Sequence, residues 1–315
     1  MKTVQLGATG VEVSALCLGA MFFGTRTAKD ASIRVLDRYL DAGGTFIDTA
    51  NIYASWVDGF EGGESETLLG EWMQERDNRS KLFIASKVGF GYPGVEIGLS
   101  AQQIEEECNK SLKRLGVETI DLYYGHVDDR KTPLEETLQA FDRLVKAGKV
   151  RFVGASNYRA WRLEQASWLA QVNGWTPFCC VQQRYTYLPL RPGGDIGMQT
   201  MTNEDLLDYC RSSGMTLLAY SVLLAGAYTR PDRPLPSAFA SADNPARLQT
   251  LSSVAQESGA TINQVILRWM MQSSPAVLPL IAASDEAQLN ENLGALDIRL
   301  SDDQMQRLNR AVGVA

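Results

Sequence analysis

His126 is the only histidine in a chain of 315 residues, and it closes the run IDLYYGH. A histidine in that position is either an acid–base or carbonyl-binding group or a buried polar side chain that packing tolerates. Three more residues capable of proton chemistry end or follow similar apolar runs. Asp48 ends TFID, Tyr53 stands five residues beyond it, and Lys87 ends IASK. Singly, each has a plain reading: Asp48 as a helix cap, Lys87 as a solvated lysine. Together, a carboxylate, a phenol, an ammonium and an imidazole converging on one pocket are what general acid–base chemistry requires. Ser156, Asn157, Gln182, Tyr220 and Ser221 lie in or just after three further such runs, although Ser156-Asn157 also reads as a helix N-cap pair.

The apolar runs that must position these groups number eight: 15–20, 45–48, 82–86, 120–125, 150–155, 179–183, 216–221 and 277–282. Amphipathic segments at 31–44, 102–116, 133–149 and 203–214 alternate with them and carry glycine at or next to their ends, a helix stop. Eight strand-then-helix units predict an α/β fold, a (β/α)8 TIM barrel forming a single domain over 1–315, with its chemistry at the C-terminal ends of the strands. TVQLGATGVEV, with Gly7 and Gly10, predicts an N-terminal β-hairpin before the barrel. The stretches 89–100 and 229–246 follow strand ends without regular pattern, as substrate or cofactor flaps do.

Composition narrows the class further. The chain is 45% hydrophobic and 21% charged, with a formal charge of −7 and no basic stripe to neutralise nucleic-acid phosphates. No nucleic-acid partner is expected. Five cysteines without CxxC spacing and a single histidine argue against a disulfide framework and a zinc site, so no metal is expected and a reducing, cytoplasmic location fits. No run reaches the roughly 18 apolar residues of a membrane span.

The motifs FIDTANIY, GESETLLGEW, IASKVG, IDLYYGH, GKVRFVGASN, VQQRY, LLAYS and QLNENLGAL, in this order over positions 2–310, resemble the aldo-keto reductase family. The resemblance implies the same barrel, carbonyl reduction with NAD(P)H, and a catalytic tetrad of Asp48, Tyr53, Lys87 and His126. Physics gives the tetrad sensible roles. A carbonyl accepting hydride builds charge on oxygen and needs a proton, and an ordinary phenol is a poor acid near neutrality. An ammonium about 4 Å away favours the phenolate by about 4 kcal/mol at an effective dielectric near 20. Lys87 is thus expected to lower the pKa of Tyr53, with Asp48 holding the ammonium, and His126 to orient the carbonyl.

By the same resemblance, Ser156, Asn157 and Gln182 match residues that bond a nicotinamide carboxamide, and Tyr220 matches the tyrosine that stacks on the ring. Ser221, Leu223 and Gly226 match the pyrophosphate loop, with Val222 where relatives often carry proline. Ser284, Gln288, Glu291 and Asn292 match positions around the adenosine. The segment LIAASDEAQLNENLG departs from the family in having no basic residue for a 2′-phosphate. Arg230 or Arg233 on the preceding flap would supply that charge, while Asp285 would favour an unphosphorylated ribose. NADP(H) is narrowly favoured, and NAD(H) stays open.

The insertion ASWVDGFEGG after Tyr53 brings Trp56 and Phe60 near the site, and Phe22, Phe23, Phe90, Tyr92 and Tyr158 follow other strand ends. Phe22, Trp56, Phe90 and Tyr158 are the substrate-wall candidates. With Asp58, Glu61 and Asp128 they suit a sugar-like polyol; without those acids, a bulky ketone. The partner is therefore a small-molecule carbonyl or alcohol. The rival readings are a nicotinamide-binding regulatory or interaction subunit with little turnover, and a carboxylate-based hydrolase, which leaves Ser156, Asn157 and Gln182 without a role. The pattern says nothing of oligomeric state.

Overall fold

The alternation around Gly7 folds as the expected hairpin: β1 (Thr3–Gln5) and β2 (Glu12–Ser14) pair antiparallel in the computed structural model, which describes residues 1–313. The hairpin closes the N-terminal end of the barrel. Leu6 and Val13 join Cys17, Phe46, Phe83, Leu122, Cys180, Leu218 and Leu278 in a buried interior cluster. Gly7 is required at the turn, because its φ is +51° and a Cβ there would lie 2.2 Å from the carbonyl oxygen of Cys179.

Eight parallel strands then close into a barrel: β3 (Cys17–Gly19), β4 (Phe46–Asp48), β5 (Phe83–Val88), β6 (Ile120–Gly125), β7 (Val150–Ser156), β8 (Phe178–Arg184), β9 (Thr216–Tyr220) and β10 (Val277–Ile281), with β10 pairing β3. Each lies within or beside one of the eight predicted runs. Their period-2 alternation explains the division of labour inside. Phe46 is followed two residues on by Asp48, Ala85 by Lys87, Tyr124 by His126, Cys180 by Gln182 and Leu218 by Tyr220. Each inward row therefore passes from an apolar floor to a polar upper rim.

Around the barrel pack α1 (Lys29–Asp41), α2 (Glu64–Arg76), α3 (Ala101–Leu115), α4 (Leu134–Lys146), α5 (Ala160–Asn173), α6 (Glu204–Ser213), α7 (Asn244–Ser258), α8 (Ile262–Gln272), α9 (Glu286–Gly294) and α10 (Asp302–Val312). A second, larger cluster lies between strands and helices. Ser100, Asn203, Thr261, Asp285 and Ser301 cap their helices with side-chain oxygens, as sequence grammar predicts. A third long irregular stretch, 185–203 between β8 and α6, was not marked by the sequence pattern and also reaches the rim. Among the described residues, no helix is long and apolar enough to cross a membrane.

Candidate active site

Lys87 sits on the inward row of β5 with its side chain fully buried, which removes the solvated-lysine reading. Its Nζ donates to Asp48 Oδ1, to the Thr49 carbonyl at 2.8 Å and to Tyr53 Oη at 2.6 Å. All three ammonium protons are thereby used. Tyr53 Oη donates to Asp48 Oδ1 at 3.1 Å, and the other carboxylate oxygen accepts from Gln182 Nε2 at 2.8 Å. His126 completes the group, its ring 6.2 Å from that of Tyr53 and 4.7 Å from that of Phe90. Its buried Nδ1 has no protein partner.

The electrostatics correct one expectation. Burial, followed by the charge and hydrogen bond of Asp48, holds the Tyr53 phenol well above its ordinary pKa rather than below it. Burial also lowers the Lys87 pKa, against the pull of Asp48. Burial first, and the Asp48 carboxylate second, keep the phenol from ionising despite the adjacent lysine, so Tyr53 rests protonated. His126 is pushed well below the usual histidine value by burial and then by Lys87, which makes it a neutral imidazole. The set is a buried proton donor fed by an ammonium, beside a neutral ring able to hydrogen-bond a carbonyl oxygen.

A cavity of about 830 Å³ runs from this cluster across the rim to α9. Tyr53, His126, Asn157, Gln182, Tyr220, Ser221, Leu223, Gly226, Arg230, Ser284, Gln288, Glu291 and Asn292 all line it, as do Phe22, Trp56 and Phe90. Asp48 and Lys87 lie beneath the surface. Ser156 is buried, its Oγ accepting from Asn157 Nδ2 at 3.2 Å. Asn157 itself is a brace: Nδ2 donates to the His126 carbonyl at 2.9 Å, and Oδ1 accepts from Tyr220 Oη at 2.7 Å.

Tyr158 is not brought to the cavity. It is 1% exposed, packed edge-on against Phe178 behind the strands. The left-handed backbone at Asn157, φ +63°, breaks the inward alternation and sends the next side chain outward. Tyr92 turns away as well, toward Glu107. Asp58 and Glu61 are exposed and outside the cavity, and Asp128 is taken by Arg130 and Arg162. The polyol reading thereby loses its carboxylates.

At the far end, Asp285 is committed to capping α9, accepting from Gln288 N at 2.9 Å and Gln288 Nε2 at 3.0 Å, so it is not a free ribose acceptor. Glu291 accepts from Thr261 Oγ1 at 2.8 Å and Asn263 Nδ2 at 3.3 Å. Arg230 is the one cation on the cavity wall among the described residues, paired with Asp232, whereas Arg233 does not reach the wall. Ser221, Leu224 and Ala225 have φ of +57°, +46° and +54°, strained for side-chain-bearing residues and typical of ligand clamps. An elongated cavity with that clamp at its middle and a buried donor at one end fits a nicotinamide dinucleotide.

The aldo/keto reductase family model matches residues 15–312. The chain belongs to the aldo-keto reductase family. It is an NAD(P)-dependent oxidoreductase acting on carbonyl or alcohol groups. This aldo-keto reductase is 32% identical to an NADP(+) aryl-alcohol dehydrogenase of Phanerodontia chrysosporium, over 96% of this chain and 83% of the relative. A norsolorinic acid reductase of Emericella nidulans is 31% identical over 96% and 79% of the two chains. The uncharacterized oxidoreductase YrpG of Bacillus subtilis is 31% identical over 98% and 95%. The reductase's cavity also has walls that no sequence pattern singled out, among them Met21, Ile52, Gln199 and Asn263. Gln199 lies in the patternless stretch after β8, and only its place in space reveals it.

Proposed function

We propose that this reductase interconverts a bulky, largely apolar aromatic aldehyde or ketone with its alcohol, using NADP(H). The observation that carries the reading is the substrate end of the cavity: Met21, Phe22, Ile52, Trp56 and Phe90 wall it, and among the described residues no carboxylate does. Phe22 and Trp56 meet edge-to-face with centroids 6.3 Å apart, and Trp56, 51% exposed, presents aromatic surface to a flat substrate. The aryl-alcohol dehydrogenase and norsolorinic acid reductase relatives are named for chemistry of this kind.

A bound nicotinamide supplies or takes the hydride. Tyr53 gives its proton to the developing alkoxide, and Lys87, already bonded to the phenol oxygen, stabilises the phenolate left behind. Asp48 keeps Lys87 in place and charged, and neutral His126 orients the carbonyl. Ser156, Asn157, Gln182 and Tyr220 form the nicotinamide end, Ser221, Leu223 and Gly226 the pyrophosphate clamp, and Ser284, Gln288, Glu291 and Asn292 the adenosine end.

The test is turnover of NADPH against benzaldehydes, polycyclic aryl ketones and aldoses. Aryl carbonyls should exceed aldoses in kcat/KM by at least about a hundredfold. Tyr53→Phe should lower kcat by about 10²–10⁴ with cofactor binding retained. Preference for aldoses would overturn the substrate class, and tight NADPH binding with no carbonyl turned over would leave a binding subunit instead.

A further inference from the structure

Besides the β3–α1 segment that carries Phe22, two loops without regular structure supply the aromatic walls just described. Residues 49–63, between β4 and α2, carry Tyr53 and Trp56, while residues 89–98, between β5 and α3, carry Phe90. Segments of this kind move unless something fixes them. Lys87 and Asp48 hold Tyr53 within the first loop, but the group that ties the two loops to each other is on neither. Glu107 projects from α3 with its side chain 2% exposed. Its Oε2 accepts from Asn51 Nδ2 at 2.8 Å and from Tyr92 Oη at 2.6 Å, and its Oε1 accepts from Lys110 Nζ at 2.7 Å. Among the described residues, no other side chain hydrogen-bonds both loops.

We propose that Glu107 is a positioning residue for the substrate: one buried carboxylate clasps the Tyr53 loop to the Phe90 flap and holds the pocket's aromatic walls at a fixed separation. The proposal rests on the aryl-carbonyl reading of the same pocket. Glu107 lies on the buried face of α3 with Ile104, Cys108, Ser111 and Leu115, a position where packing alone does not call for an acid. Asn51 commits its amide nitrogen to Glu107 while its own Oδ1 stays buried without a partner, so the contact is not a by-product of local satisfaction. Beside it, a Cβ on Gly62 would come within 2.9 Å of the Asn51 carbonyl oxygen and 3.5 Å of the Tyr92 ring, so the two loops meet at this point. Burial by itself would raise the Glu107 pKa, yet donation from Lys110, Tyr92 and Asn51 holds it below the usual carboxylate value, and the clasp remains charged.

The experiment compares Glu107→Ala, Glu107→Gln and Tyr92→Phe with wild type in steady-state kinetics, NADPH binding and amide hydrogen exchange. In Glu107→Ala, KM for a polycyclic aryl ketone should rise about tenfold through lost preorganisation, with kcat and NADPH affinity nearly unchanged. KM for a small aldehyde, which does not span both walls, should move little. Exchange should quicken in 49–63 and 89–98 together. Glu107→Gln, which still accepts from Asn51 and Tyr92, should recover most of the KM, and Tyr92→Phe should loosen 89–98 alone. Parallel loss of kcat and cofactor binding, exchange rising in one loop only in Glu107→Ala, or Gln as damaging as Ala would overturn the clasp. If wild type turns over no carbonyl, the substrate reading fails, and the exchange pattern still decides the clasp.

Discussion

His126 rests neutral because burial, and then the nearby Lys87, make its charged form costly. That cost is a stability statement. Below the ordinary histidine pKa of about 6.5 the unfolded chain binds a proton that the folded chain refuses, so stability falls as pH falls, by up to about 1.4 kcal/mol per pH unit for this group. Urea denaturation between about pH 7.5 and 5.5 should show a steeper acid decline in wild type than in His126→Gln. Equal slopes would mean that His126 protonates freely in the fold. At the same scale, Tyr53 and Lys87 were legible from residue type and position, but the direction of the phenol's pKa was not. It depends on Asp48 Oδ1 lying within hydrogen-bond reach of both partners and on complete burial, which chain order does not reveal.

At the scale of elements, the hairpin β1–β2 does more than precede the barrel. It seals the floor on which the inward rows stand, and its turn lies against the starts of β8 and β9, where Gly7 N donates to Thr216 Oγ1 of β9 at 2.7 Å. Gly7→Ala should therefore destabilise the protein by at least about 2 kcal/mol, combining left-handed strain with overlap on a backbone oxygen that cannot step aside. Chemical denaturation measures this, and a loss below about 0.5 kcal/mol would show that the hairpin lifts off the floor freely. The strands and capped helices were readable because alternation and cap residues are local signals. Tyr158, a wall candidate because it follows a strand end, is not on the wall, since the left-handed turn at Asn157 resets the direction of the chain.

At the scale of the whole molecule, one cavity joins the donor cluster inside the barrel to α9 outside it. Arg230 holds the wall there while Asp285 is occupied as a cap. Arg230→Ala should weaken NADPH binding about tenfold or more and leave NADH nearly unchanged, as a lost arginine–phosphate contact would. Fluorescence titration with both cofactors measures this, and equal losses for the two would place Arg230 away from the 2′-phosphate.

The sequence by itself determined the eight strands and the rim position of Asp48, Lys87 and His126, because each is written in a short-range period or at the end of one, while the resemblance of its motifs to a family singled out Tyr53 in the loop beyond. The tertiary structure alone decided which residues face the cavity where that period breaks, as at Asn157 and Gln199. It alone decided which charges are already taken, as at Asp128 and Asp285, and that Glu107 meets Asn51 and Tyr92. Those contacts join residues up to 56 positions apart, and a chain written in one dimension carries no local signal for a distance closed only when the barrel does.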